Sequence, residues 1–89
     1  MHAVVVRVTV NDGEAATSHL REEVVPFVKQ SPGFVVAHWV RLEGGNQGAS
    51  MLVFESEDTA REAAGQIKAP PNDAVVIESI DVGEVVENA

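Results

Sequence analysis

The chain has no cysteine and no tyrosine, a single tryptophan and only 6 lysines and arginines in 89 residues. Each shortage removes a class of chemistry. Without cysteine there are no disulfides, no thiolate metal sites and no thiol nucleophile, and the composition fits a cytoplasmic protein. The basic residues face 14 acidic ones, for a net charge of −8. That balance repels phosphate backbones and anionic lipid, so neither nucleic acid nor a membrane surface is an expected partner. No apolar run is long enough to cross a bilayer. Residues 1–10 carry Arg7 and lack the apolar core of a signal peptide, so none is expected. The length predicts one domain spanning residues 1–89.

What the chain does have is valine-rich strands without clean polar alternation. Ala3-Val4-Val5-Val6, Phe34-Val35-Val36-Ala37-His38-Trp39-Val40 and Ala74-Val75-Val76-Ile77 are nearly continuous apolar runs. Strands wet on one side alternate, whereas strands covered on both sides read this way. Two short helices cover only one face of a four-stranded sheet. The expected cover for the other face is a second copy of the chain, giving a homodimer through the helix-free face.

The elements follow in order. His2 to Val10 predicts a first strand. Asn11 as cap and Glu14 three residues on predict the start of a helix running to about Gln30, with Ala16, Leu20, Val24, Phe27 and Val28 on its apolar stripe. Pro26 predicts a kink or break there, or a second short helix that it opens. Ser31-Pro32-Gly33 ends the segment. Phe34 to Leu42 and Ala49 to Glu55 predict strands joined by the hairpin loop Glu43–Gly48. Ser56 caps a second helix with Ala60, Ala63, Ala64 and Ile67 inward, stopped by Pro70-Pro71. Ala74 to about Val86 predicts a long fourth strand with a bulge or turn near Gly83. The order βαββαβ, with right-handed crossovers, predicts a ferredoxin-like α+β fold: a four-stranded antiparallel sheet, first and third strands central, and two helices on one face.

Two segments carry a family resemblance. Ser31-Pro32-Gly33-Phe34 resembles the helix-to-strand signature of the dimeric α+β barrel proteins, and Val53-Phe54-Glu55-Ser56-Glu57-Asp58-Thr59-Ala60 resembles their passage from strand to helix. In length and spacing the chain is most similar to the antibiotic biosynthesis monooxygenase group. The resemblance implies two protomers packed sheet to sheet, a small-molecule cavity within the barrel or between each sheet and its helices, and activity without a prosthetic group. It does not extend to the heme-degrading branch, whose strand Asn, helix Trp and later His have no counterparts here.

The resemblance implies a monooxygenase-like enzyme acting on a small hydrophobic or aromatic metabolite, with no cofactor. Trp39 and Arg41, on one face of the second strand, are the candidates for substrate contact; Trp39 also suits a dimer contact. His38, on the opposite face and expected to turn toward the helices, is the candidate general base. Arg7 is the candidate for stabilising an anion, or else it pairs with Glu78 in a buried salt bridge. His19 lies at the edge of the helix stripe and can approach His38. No His spacing marks a metal site. The alternative function is a non-catalytic ligand-binding or structural homodimer. A ligand-sized cavity favours the enzyme and a solidly packed interior favours the alternative.

Overall fold

The computed structural model describes residues 1–70 and 72–89. Its elements are β1 (His2–Val10), α1 (Gly13–His19), a π-helical segment (Leu20–Val24), α2 (Val25–Gln30), β2 (Phe34–Arg41), β3 (Gln47–Phe54), α3 (Glu57–Gln66) and β4 (Val75–Glu84). The strands form one sheet in the order β2-β3-β1-β4, and all neighbours run antiparallel. This is the expected ferredoxin-like arrangement, with β3 and β1 central.

Alternation sorts the strands into two faces. Val4, Val6 and Val8 of β1 turn to the helices with Leu52 and Phe54 of β3 and Ile77, Ile80 and Val82 of β4. Val4 and Phe54 are fully buried, and Ala60 and Ala63 of α3 close over them. Phe34 meets Phe54 edge-on with ring centroids 6.0 Å apart. The opposite face holds Val36 and Val40 of β2, Met51 of β3 and Val76 of β4, all 42–52% exposed. Toward β4 that face turns polar, with Ser79 and Asp81 across from Arg7 and Val5.

The N-cap of α1 is Asp12, one residue later than expected. Its carboxylate accepts from the Ala15 N–H at 3.1 Å, whereas Asn11 donates its amide to the Asp73 carbonyl. Of the two expectations for Pro26 the second holds: it lies in the first turn of a short helix of its own, α2. A proline has no N–H, and its ring crowds the carbonyl four residues earlier. The chain answers with the π segment just before it, where the Val25 N–H reaches back to the Leu20 carbonyl, and Pro26 then sits in the first turn of α2. Ser56 caps α3 as expected, with Thr59 completing a capping box. α3 ends at Gln66, ahead of Pro70; Pro71, expected to help stop it, lies outside the described residues. The bulge in β4 falls at Glu78, where the register against Arg7 and Val8 slips, while Gly83 pairs regularly with Ala3.

Gly33 gives the Ser31–Phe34 turn its physical basis. Its φ is +76°, and a Cβ there would lie 2.7 Å from Thr59 Oγ1. Both the backbone conformation and the space demand glycine. The Gly33 carbonyl accepts from the Glu55 N–H at 2.8 Å. This ties the start of β2 to the end of β3, the two places that carry the resemblance.

Candidate functional site

The two helical layers meet the sheet differently. α3 presents alanines, which allow close approach, and buries two of them. The other layer buries nothing in α1 or the π segment and is anchored by Val28 of α2, 2% exposed. It stands off from the strands along most of its length. The space left is a cavity of about 490 Å³ between the sheet and its own helices. That volume falls within the range of small-molecule sites.

Val6, Val8, Leu52 and Ile77 supply an apolar floor, and Leu20, Val24 and Phe27 face it from the helical side. Trp39 lies beside them, half-buried and packed against the core. Ser50, its cross-strand partner, gives the floor a hydroxyl. The remaining polar lining comes from Thr17, His19, Glu23, Arg41, Gln66 and Lys68. Thr17 is engaged within the helix, donating to the Gly13 carbonyl at 2.8 Å. The two ion pairs found among the described residues, His2–Glu57 and Arg61–Glu57, involve none of the cavity groups. His19 closes α1 and is half-buried; Glu23 lies one turn further on, within the π segment. Such π turns recur at ligand sites because they re-aim side chains that a regular helix would stack.

Among the expected site residues, Trp39 and Arg41 share this cavity. His38 does not. It lies across from Met51, exposed on the helix-free face, so the expected facing of His38 and Trp39 is reversed. β2 carries a bulge between Phe34 and Val36, which shifts the alternation before His38 is reached. Arg7 is also exposed on the helix-free face, between Ala49 and Ser79, and lines no part of the cavity. Its expected pairing with Glu78 is absent among the described residues. The Glu78 carboxylate instead accepts from Thr9 Oγ1 at 2.7 Å. His19 and His38 therefore lie on opposite sides of the sheet, not together.

Ser50 and Lys68 carry no signal of a site in the sequence, Glu22-Glu23 reads there as a solvated helix pair, and His19 has no assigned role. The signal for His19 and Glu23 was present, since both fall three residues after a stripe position, Ala16 and Leu20 respectively. Lys68 follows α3, where no periodicity marks it. No group of three or more His, Cys, Asp or Glu residues suited to a metal ion occurs among the described residues.

No family model matches the sequence, and no curated protein matches it. Solved structures do. A point variant of SnoaB, a cofactor-independent oxygenase from Streptomyces nogalater, is similar with a TM-score of 0.74 at 20% identity, covering 98% of this chain and 94% of that one. A variant of MhuD with two manganese protoporphyrin IX bound per active site gives 0.64 at 19%, covering 100% and 98%. The heme degrader MhuD from Mycobacterium tuberculosis, with two hemes in its active site, gives 0.53 at 21%, covering 97% and 98%. The chain shares the fold of these small α+β proteins over its whole length.

Proposed function

We propose that the chain binds a small hydrophobic or aromatic metabolite between its sheet and helices and oxidises it as a cofactor-independent monooxygenase. The observation that carries this reading is the cavity itself, apolar at its floor, with Trp39 and Arg41 on its wall. Trp39 offers a ring face or edge to an aromatic ligand. Arg41 offers a guanidinium to a phenolate or carboxylate. The likeness to SnoaB supports the reaction class. In such a reaction an electron-rich phenol or anthrone supplies the electrons, one atom of dioxygen enters the product as a carbonyl, and the other leaves as water. The substrate must first lose a proton, and His19 is the histidine on the cavity wall that can accept it. The roles expected for His38 and Arg7 would require a ligand on the helix-free side of the sheet, since neither lines this cavity.

The helix-free face supports self-association. A compact monomer of this mass exposes roughly 5,000 Å², whereas this chain exposes 5829 Å². Val36, Val40 and Met51 form an apolar patch on that face, a feature that marks interaction surfaces. A second copy placed sheet to sheet would cover it, with His38 and Arg7 inside the contact. A cytoplasmic location fits the cysteine-free composition.

Oxygen uptake with a panel of anthrones and quinols tests the enzyme. Turnover lost in His19→Gln and kept in His38→Gln supports it. Ligand binding without turnover across the panel favours the second reading, a non-catalytic ligand-binding homodimer.

A further inference from the structure

We infer that the ligand of this cavity is an apolar molecule bearing one acidic group, held with that group toward the end of the cavity that Arg41 and Lys68 line. The inference rests on the cavity as a binding site and adds the chemical class of its occupant. Its basis is a local reversal of charge. The chain carries 14 carboxylates against 6 lysines and arginines. Around the cavity the proportion inverts: Arg41, Lys68 and the titratable His19 line it, with Glu23 the one carboxylate among the described lining residues.

Both fixed cations lie at the same end of the sheet. Arg41 closes β2, and Lys68 follows α3 on its way to the start of β4. Antiparallel pairing brings the end of β2 to the start of β3 and the end of β1 to the start of β4. This is therefore one end of the cavity, with Arg41 on the β2 edge and Lys68 on the side of α3 and β4, and the apolar floor runs inward from it along Val8 and Val6. Neither cation takes part in an ion pair among the described residues. A protein so acidic repels anions at long range, so two cations free of ion pairs among the described residues are the groups on this lining able to hold one. A neutral ligand would gain nothing from that arrangement. A ligand with an apolar body and a single carboxylate, sulfonate or phenolate matches both parts of it.

Two fluorescent probes of similar shape test this: anilinonaphthalene sulfonate, which is anionic, and neutral phenylnaphthylamine. Titrations follow probe emission and energy transfer from Trp39, and Ala16→Phe, which fills the cavity, serves as the control for location. The expected result is tighter binding of the sulfonate by about tenfold or more, the factor one charge-assisted hydrogen bond provides. Arg41→Met and Lys68→Met should each reduce that preference and its dependence on salt while leaving the neutral probe's affinity unchanged. Equal affinities, or a sulfonate preference that survives both substitutions, overturn the inference and leave the cavity as a site for neutral ligands. Binding of neither probe, or binding of both unaffected by Ala16→Phe, removes the cavity as a site and the inference with it.

Discussion

The guanidinium of Arg41 rests against the backbone of Gly13, so close that a Cβ at position 13 would lie 2.9 Å from Nη1. The end of β2 and the start of α1 thus meet, and the absence of a side chain at Gly13 leaves room for the cation. The obstacle is the far end of a flexible side chain, not backbone. Gly13→Ala should therefore displace Arg41 while changing stability by less than about 1 kcal/mol, since alanine also favours the helix. Denaturation midpoints and binding of an anionic probe, measured together, check this. Lost stability with unchanged binding would show that Gly13 matters to the helix and not to Arg41.

Phe54 is fully buried beneath α3, and Phe34 packs on its ring. Phe54→Ala should cost about 3–5 kcal/mol, a large share of the roughly 5–15 kcal/mol typical of a folded domain. Urea unfolding should show a sharply lowered midpoint. Val36→Ala, on the helix-free face, should lower it far less in a monomer. A cost approaching that of a core position would indicate that this face is buried in solution.

Asp12, not Asn11, caps α1 through its side chain. Asp12→Ala should cost about 1 kcal/mol from the lost cap. Asn11→Ala removes a different bond, the one to the Asp73 carbonyl, so its effect should appear as faster amide exchange around residues 73–75. Exchange measured by NMR on both variants distinguishes the two roles.

The fold was largely legible in the sequence because it is written in periodicity and punctuation. Val4, Val6, Leu52 and Phe54 follow strand spacing, Ala60 and Ala63 follow helix spacing, and Gly33 stands where only glycine fits. The site was half legible. Trp39 and Arg41 are two residues apart on a strand, so they share a face in any register. Which face they share was not readable, because the bulge at Val35 is a pairing event that the residues themselves do not announce. The cavity depends on how far one helical layer stands from the sheet. The stripe marked Val28 as inward and Pro26 marked an irregularity, but neither residue announces how far the layer stands from the sheet.

The Arg61 guanidinium donates to the Glu57 carboxylate at 2.8 Å. That hydrogen bond, with the attraction of the two charges, holds the Glu57 carboxyl below its ordinary value. A carboxyl depressed in the folded state contributes stability above its unfolded pKa, and the contribution fades as pH falls through the folded value. Glu57 should therefore titrate below the ordinary glutamate value by NMR and move up in Arg61→Gln. Because the pair is exposed, high salt should shrink the difference.

Sedimentation at micromolar concentration should give a dimer, and Met51→Lys, which sets a charge amid Val36, Val40 and Val53, should give a folded monomer. A wild-type monomer would remove the sheet-to-sheet arrangement while leaving the cavity in place.

The most direct measurement is an amide chemical-shift map of the isotope-labelled protein titrated with a naphthol carboxylate. The account predicts shifts concentrated at Thr17, His19, Trp39, Arg41 and Ser50, with His38, Val36 and Met51 unmoved. Shifts centred on Val36, His38 and Met51, with Trp39 and His19 silent, would place ligand on the other side of the sheet and contradict it.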